Sequence, residues 1–303
     1  MAEEREWQDL VLRHLGMKAE RLDGSSARDL LGPLGRDITG RFGPIWPPTM
    51  SDQLPLFNVA RGGTLLTGEG GDEILSGQRI TPVVGVWRTR RRPDREVCAA
   101  LAFALAPRWL RRVELRRAET GQRSWLKPDA LRQFTAQVRR DASDQPLRWD
   151  QAVRVASRTR SSVLGLRSLA LIAAERGVAL LHPFLQPEFV DAFAAMGGRF
   201  GLLNRREALE VLCGDLLPAK LMARTSKAVF NGPSFGPDSR AFIHSWSGAG
   251  LPDDLVDPEL VLAEWSKPMP HAGTMLLLQQ AWWSTQLPKH TGEAATGSRA
   301  PAC

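Results

Sequence analysis

Leu65 to Arg79 reads LLTGEGGDEILSGQR, and this stretch decides the fold. Thr64 to Thr67 is a short apolar run between glycine clusters, a length that favours a buried strand over a helix. The chain then turns through Gly68, Gly70 and Gly71, residues that permit positive φ and let a backbone approach a ligand closely. Glu69, Asp72 and Glu73 crowd three carboxylates into that turn, an arrangement whose repulsion a cation or positively charged ligand would offset. Loops at the carboxyl ends of strands are where open α/β sheets bind ligands. A glycine turn with Asp72 capping the helix that follows accounts for the same letters without chemistry.

Upstream, EREWQDLVLRHL carries Trp7, Leu10, Val11 and Leu15 at helical spacing with Gly16 as a stop. A short strand is expected around Lys18 to Leu22, and then a helix from the Ser25 and Ser26 caps to about Arg41, open to a break at Gly32 and Pro33. Pro44, Pro47 and Pro48 make Phe42 to Met50 a loop, and Leu54 to Ala60 a short helix closed by Gly62 and Gly63. Helix and strand alternate here in the rhythm of a parallel α/β layer. From about Arg95 onward strand patterns almost vanish. Helices are expected at Asp129 to Ala142, Pro187 to Met196, Arg205 to Leu216, Pro258 to Trp265 and Ala272 to Trp283. Asp150 to Arg176 reads as one core-facing helix, or two in series near Gly165, and the closing HTGEAATGSRAPAC as disorder. Two strands make an incomplete α/β layer, so a part of it is expected on the N-terminal side.

The 303 residues suffice for a sizeable core, and 43% hydrophobic with 24% charged residues is ordinary for a soluble globular protein. Cys98, Cys213 and Cys303 form no CxxC pair, which argues against a zinc site or a disulfide framework and for a reducing cytoplasm. No apolar run approaches the roughly 20 residues of a membrane helix, and MAEEREWQDL is too polar for a signal peptide. The net charge of +7 and the run Arg88, Arg90, Arg91, Arg92 beside Trp87 would suit a polyanion. A solvated arginine-rich face explains that run equally, and nucleic acid is disfavoured. Arginine supplies 34 of the 40 basic residues, so each of the six lysines carries more information than usual.

TGEGGDEILSG resembles a signature of the asparagine synthetase family, in which a strand runs into Ser/Thr-Gly-Glu/Asp-Gly-x-Asp-Glu. LHPFLQPEFVDAF, from Leu181 to Phe193, resembles that family's Pro-Phe-Leu-Asp segment, with Gln186 in place of the aspartate. LPAKLMARTSKAVFNGP, from Leu217 to Pro233, resembles its Leu-Pro, Arg-x-x-Lys and aromatic-glycine pattern. The resemblance implies an adenine nucleotide alpha hydrolase-like parallel sheet fragment, α/β in class, with a predominantly helical C-terminal part. Residues 1–90 would form the partial nucleotide-binding portion, 91–289 the helical portion of the same domain, and 290–303 a tail.

By position, the resemblance makes Glu69 the general base for an incoming nitrogen nucleophile, Asp72 a ligand of the magnesium bound to ATP and pyrophosphate, and Gly68 and Gly70 the places where the loop nears the nucleotide. Lys227 becomes the cation that stabilises the phosphates, and Arg224 an assistant oxyanion clamp. The family's Ser-Gly-Gly-x-Asp-Ser phosphate loop is not found, nor is its glutaminase domain with a leading cysteine, since no cysteine precedes Cys98. The chain is therefore expected to be a fragment, a degenerate relative that binds without catalysis, or one half of a pair whose partner supplies the loop. ATP and Mg2+ are the implied cofactors, with a small carboxylate or a peptide as substrate and a separate source of ammonia. A peptide macrolactam cyclase of lasso type is the alternative within the superfamily. A β-lactam-forming relative is disfavoured because those use a tyrosine beside the glutamate, and this chain has none.

Overall fold

The computed structural model describes residues 2–22, 24, 27–90, 92–114, 123–224 and 231–287. The described residues are mostly helical and carry a two-stranded parallel sheet. The first part contains helices α1 (Ala2–Leu15), α2 (Pro33–Phe42) and α3 (Leu54–Val59), strand β1 (Thr64–Leu66) and helices α4 (Gly71–Leu75) and α5 (Thr81–Thr89). Helices α6 (Arg95–Leu105), α7 (Arg108–Glu114), α8 (Pro128–Asp144), α9 (Trp149–Ala156) and α10 (Arg160–Glu175) lead to strand β2 (Ala179–Leu181). Then come α11 (Pro187–Gly197), α12 (Arg205–Cys213), α13 (Ala219–Met222), α14 (Asn231–Ser234), α15 (Pro237–Ser245), α16 (Pro258–Trp265) and α17 (Met275–Gln286).

β1 pairs with β2 in register Thr64 to Ala179, Leu65 to Leu180 and Leu66 to Leu181. The ladder extends at both ends, with Ala179 N donating to Gly63 O (2.9 Å) and Thr67 N to Leu181 O (3.0 Å). Leu65 and Leu180 turn inward onto Ile38, Leu54, Phe57, Leu169, Ile172 and Val178. The other face is open, with Leu66 65% and Leu181 39% exposed, unlike a parallel sheet covered on both sides. Two further cores lie beside it. One gathers Ile74, Leu75 and Val84 with Trp149, Val153 and Phe193, and the other gathers Leu30 and Leu31 with Trp125, Trp246, Trp265 and Trp282. Each of the three cores draws on residues from both sides of residue 90, and each side contributes one strand of the sheet, so the two portions share their packing.

Several expectations change here. Residues 18–22 form no strand; Arg21 instead pairs with Asp9 of α1, and the alternating charges Lys18, Glu20 and Arg21 leave little apolar surface for a sheet. The partner of β1 is a three-residue strand far along the chain, set off from α10 by Arg176 and Gly177 and too short for a pattern of its own. The break in the 150–176 stretch falls at residues 157–159, where Thr159 Oγ1 accepts from Ser162 N (3.2 Å) and caps α10; Gly165 stays inside that helix. α2 begins only at Pro33, with Gly32 as its N-cap, and Ser25 and Ser26 lie outside the described residues, as does the 290–303 tail.

Asp29 ties the first and last thirds together. Its buried carboxylate accepts from Leu31 N (3.3 Å), from Asp238 N (2.8 Å) and from Ser239 N (3.2 Å), so it caps α15 from 209 residues away. Ser239 Oγ donates to the same group. Asp29→Ala is expected to strand these buried donors and lower stability by about 1–3 kcal/mol, read as a reduced denaturant midpoint; an unchanged midpoint would show the cap to be inert.

Candidate active site

The glycine turn sits directly after β1, and the end of β2 braces it. Thr67 Oγ1 and His182 Nδ1 are 2.6 Å apart, and Glu69 N donates to Thr67 Oγ1 (3.3 Å). Gly70 has φ 88°, and a Cβ there would lie 2.2 Å from Leu185 Cδ2, so both conformation and packing demand glycine. Gly71 lies against Phe184, where a Cβ would stand 3.5 Å from the ring. The Pro183–Leu185 turn of the second resembling segment is thus seated on the TGEGGDE turn of the first.

Beside this contact is a hollow of about 290 Å³. Glu69, Gly70 and Glu73 line one wall; Ser157, Ser161, Ser162 and Gly165 line another; and Trp46, Pro47, Met50, Leu166, Leu169 and Leu185 supply the apolar surface. Ser162 Oγ donates to Glu73 Oε1 (3.2 Å) and lies 2.7 Å from Thr159 Oγ1, so a short hydroxyl chain runs from the α10 cap to the carboxylate. Glu69 and Glu73 are the charged residues of this lining, and no described lysine or arginine joins them. An acidic, hydroxyl-bearing hollow with an apolar back suits a group that donates hydrogen bonds and carries positive charge, such as a primary amine.

Of the expected site residues, the structure brings Glu69 and Gly70 to this hollow. Gly68 lies in the turn before it, and a Cβ there would meet nothing within 4 Å. Asp72 is directed to α12, 2.5 Å from Arg205 Nη1, with both side chains more than half exposed. Arg224 lines a different hollow, its guanidinium 5.2 Å from the centre of the Trp7 ring. Lys227 lies outside the described residues. Glu73 was read as one of the turn's three carboxylates without a role of its own, and Ser162 and Trp46 were not singled out from the letters. The serines became legible only once the cap at Thr159 placed them.

The hollow near Arg224 is larger, about 1230 Å³, and runs between α1, residues 19–22, Arg28, Asp52 and the start of α3. Burial pushes the Asp52 carboxyl up to about 6, with Arg28 pulling the other way, and its Oδ1 is buried without a hydrogen-bond partner.

The family model for asparagine synthase matches residues 1–288. The chain belongs to the asparagine synthase family. No curated protein and no solved structure matched it. Among the described residues no helix is long and apolar enough to cross a membrane. Membership in the asparagine synthase family implies ATP, with magnesium. The hollow beside Glu69 offers acids and hydroxyls and, among the described residues, no lysine or arginine for a polyphosphate, so the nucleotide's phosphates are not assigned to this hollow.

Two predictions come from this geometry. Gly70→Ala should cost at least about 1 kcal/mol from its left-handed backbone alone and more from the Leu185 clash, whereas Gly68→Ala should leave the melting temperature nearly unchanged; equal effects of the two would refute the packing argument. For Asp52 the folded carboxyl holds its proton more tightly than the ordinary value of 3.8. Stability should therefore fall as pH rises from about 4 towards about 6 and stay lowered above that. Asp52→Asn should flatten this limb and raise stability at pH 7; a profile identical to wild type would contradict it.

Proposed function

We propose that this chain is an ATP-dependent amide-forming ligase of the asparagine synthase type, with the Glu69 and Glu73 hollow holding the nitrogen nucleophile. Family membership supports the reaction class, and the acidic lining without a described cation supports the assignment of the hollow. ATP and Mg2+ are the proposed cofactors, and ATP would supply the leaving group that activates a substrate carboxylate. On the nucleophile side, Glu73 and Ser162 orient the ammonium group, Glu69 takes one of its protons to free the nitrogen lone pair, and the second proton, shed as the C–N bond forms and the activating group departs from the carboxyl carbon, passes to solvent. Lys227 is proposed as the phosphate cation and Asp72 as the magnesium ligand, the latter by exchanging its exposed Arg205 partner, a type of surface pair worth little.

The same reading assigns an adenine nucleotide alpha hydrolase-like sheet, shared between residues 1–90 and 91–289, and a cytoplasmic location. A separate ammonia source and a partner chain carrying the phosphate loop belong to it as proposed partners. Asparagine formation from aspartate is the default chemistry. The hollow favours a second acceptor: a peptide-borne amine closing a macrolactam ring. In asparagine formation the nucleophile held here would be ammonia, which makes no use of the apolar wall, while Trp46, Met50 and Leu185 suit the apolar neighbours of an amine on a peptide.

With the activating components supplied, Glu69→Gln should retain ATP–pyrophosphate exchange and lose amide product by about 10²–10⁴-fold, while Lys227→Ala should lose both. Product formation by Glu69→Gln at the wild-type rate would remove the assigned base. Exchange stimulated by a peptide carboxylate and not by aspartate would select the cyclase reading.

A further inference from the structure

At the C-terminal end of α5, two aromatic rings face solvent together. Trp87 is 66% and Phe200 54% exposed, with ring centroids 5.8 Å apart. Solvent-facing single apolar side chains are ordinary, but a pair of large rings in contact is a patch. The backbone beneath them is held in place. Trp149 N donates to Arg199 O (3.0 Å) and Asp150 N to Gly198 O (3.1 Å), which pins the loop before α12 to the start of α9. Gly201, at φ 73°, lies so close to the buried Trp149 ring that a Cβ would fall 2.0 Å from Cγ. Arg88 clamps the α5 side, donating from Nη1 to Glu207 (2.8 Å) and from Nη2 to Gly201 O (3.2 Å). The two rings are therefore presented by fixed supports.

Charge surrounds them unevenly. Arg90 and Arg92 follow Trp87 in the turn after α5, and Arg199 precedes Phe200; all three are exposed and none has a carboxylate partner among the described residues. Of the neighbouring acids, Glu207 is taken by Arg88 and Glu210 by Arg206, Asp94 caps α6 by accepting from Val97 N (2.8 Å), and Glu96 stands exposed in the first turn of α6, so three guanidiniums face two acids that no arginine neutralises among the described residues. Arg90 occupies the left-handed region at φ 52°, a conformation uncommon for a non-glycine residue.

We propose that Trp87, Phe200, Arg90, Arg92 and Arg199 form a docking surface for an acidic peptide segment of a partner protein. Tryptophan and arginine are the residue types that carry binding energy at protein interfaces, and unneutralised guanidiniums beside a rigid apolar pair complement carboxylates flanking an apolar anchor. A nucleic-acid strand fits less well, because three guanidiniums around one ring pair make a compact patch rather than the continuous cationic track that a phosphate backbone follows.

The test uses the full chain and three labelled probes: a fluorescein-labelled peptide with glutamates flanking a Leu-Phe core, the same peptide with lysines for glutamates, and oligothymidylate of matched length. Fluorescence anisotropy should show saturable binding of the acidic peptide, weakened by added salt, and none of the lysine peptide. Arg90→Gly combined with Arg92→Ser should weaken binding at least about tenfold, and Trp87→Ser should do the same, with circular dichroism unchanged because these side chains are exposed. Glycine suits the backbone at position 90, so the arginine variant tests charge rather than folding. Failure of the acidic peptide to bind, or binding undiminished in the variants, would overturn the proposal. Tighter binding of oligothymidylate, lost in the same variants, would overturn it in favour of nucleic acid.

Discussion

The parallel pairing of Thr64–Leu66 with Ala179–Leu181 is the constraint on which the rest of the structure depends. It brings together two segments more than a hundred residues apart, and in doing so sets the glycine turn that leaves one strand against the Pro183–Leu185 turn that leaves the other. Close approach at Gly70 is possible only because no Cβ stands between its backbone and Leu185. The acidic wall of the hollow follows from that contact, and the serine wall follows from the capped start of α10 packed beside it. Chemistry here is placed by backbone geometry at two short strands, not by a large sheet.

Charge is partitioned between two hollows. The smaller holds Glu69 and Glu73 with hydroxyls and apolar side chains and no described cation; the larger, beneath α1, mixes Arg5, Arg21, Arg28 and Arg224 with the acids Glu6, Asp9, Glu20 and Asp52, the last with its proton affinity raised by burial. An amide-forming reaction needs both an acidic place for a nitrogen nucleophile and a basic place for departing phosphates. Under the proposed function the smaller hollow is the place for the nitrogen nucleophile, and the proposed phosphate cation, Lys227, belongs to a segment outside the described residues.

Much of this arrangement was legible in the letters. The β1 strand, the glycine turn and most helices are written in local punctuation: glycine clusters, prolines at first turns and apolar spacing. The family was legible in TGEGGDEILSG, whose glycines and acids have a mechanical reason to occur at that spacing. What was not legible depends on contacts over long sequence distances. β2 is three residues of unremarkable apolar sequence, and only its pairing with β1 makes it a strand. Residues 18–22 have the length of a strand but no ladder among the described residues, since strand character is a property of a pair. Glu73 and Ser162 become partners across 89 positions through the packing of α4 and α10, which no local pattern announces. Asp72's ion pair with Arg205, 133 positions away, is likewise absent from any local pattern, while its proposed role towards magnesium rests on the motif.

The central claim is that the hollow formed by the glycine turn accepts a cationic nitrogen group. Isothermal titration calorimetry with butylammonium and with butyrate tests it without requiring turnover. The account predicts saturable heat with butylammonium, lost in a Glu69→Gln, Glu73→Gln double variant, and none with butyrate. Equal or tighter binding of butyrate by the wild-type chain would contradict it.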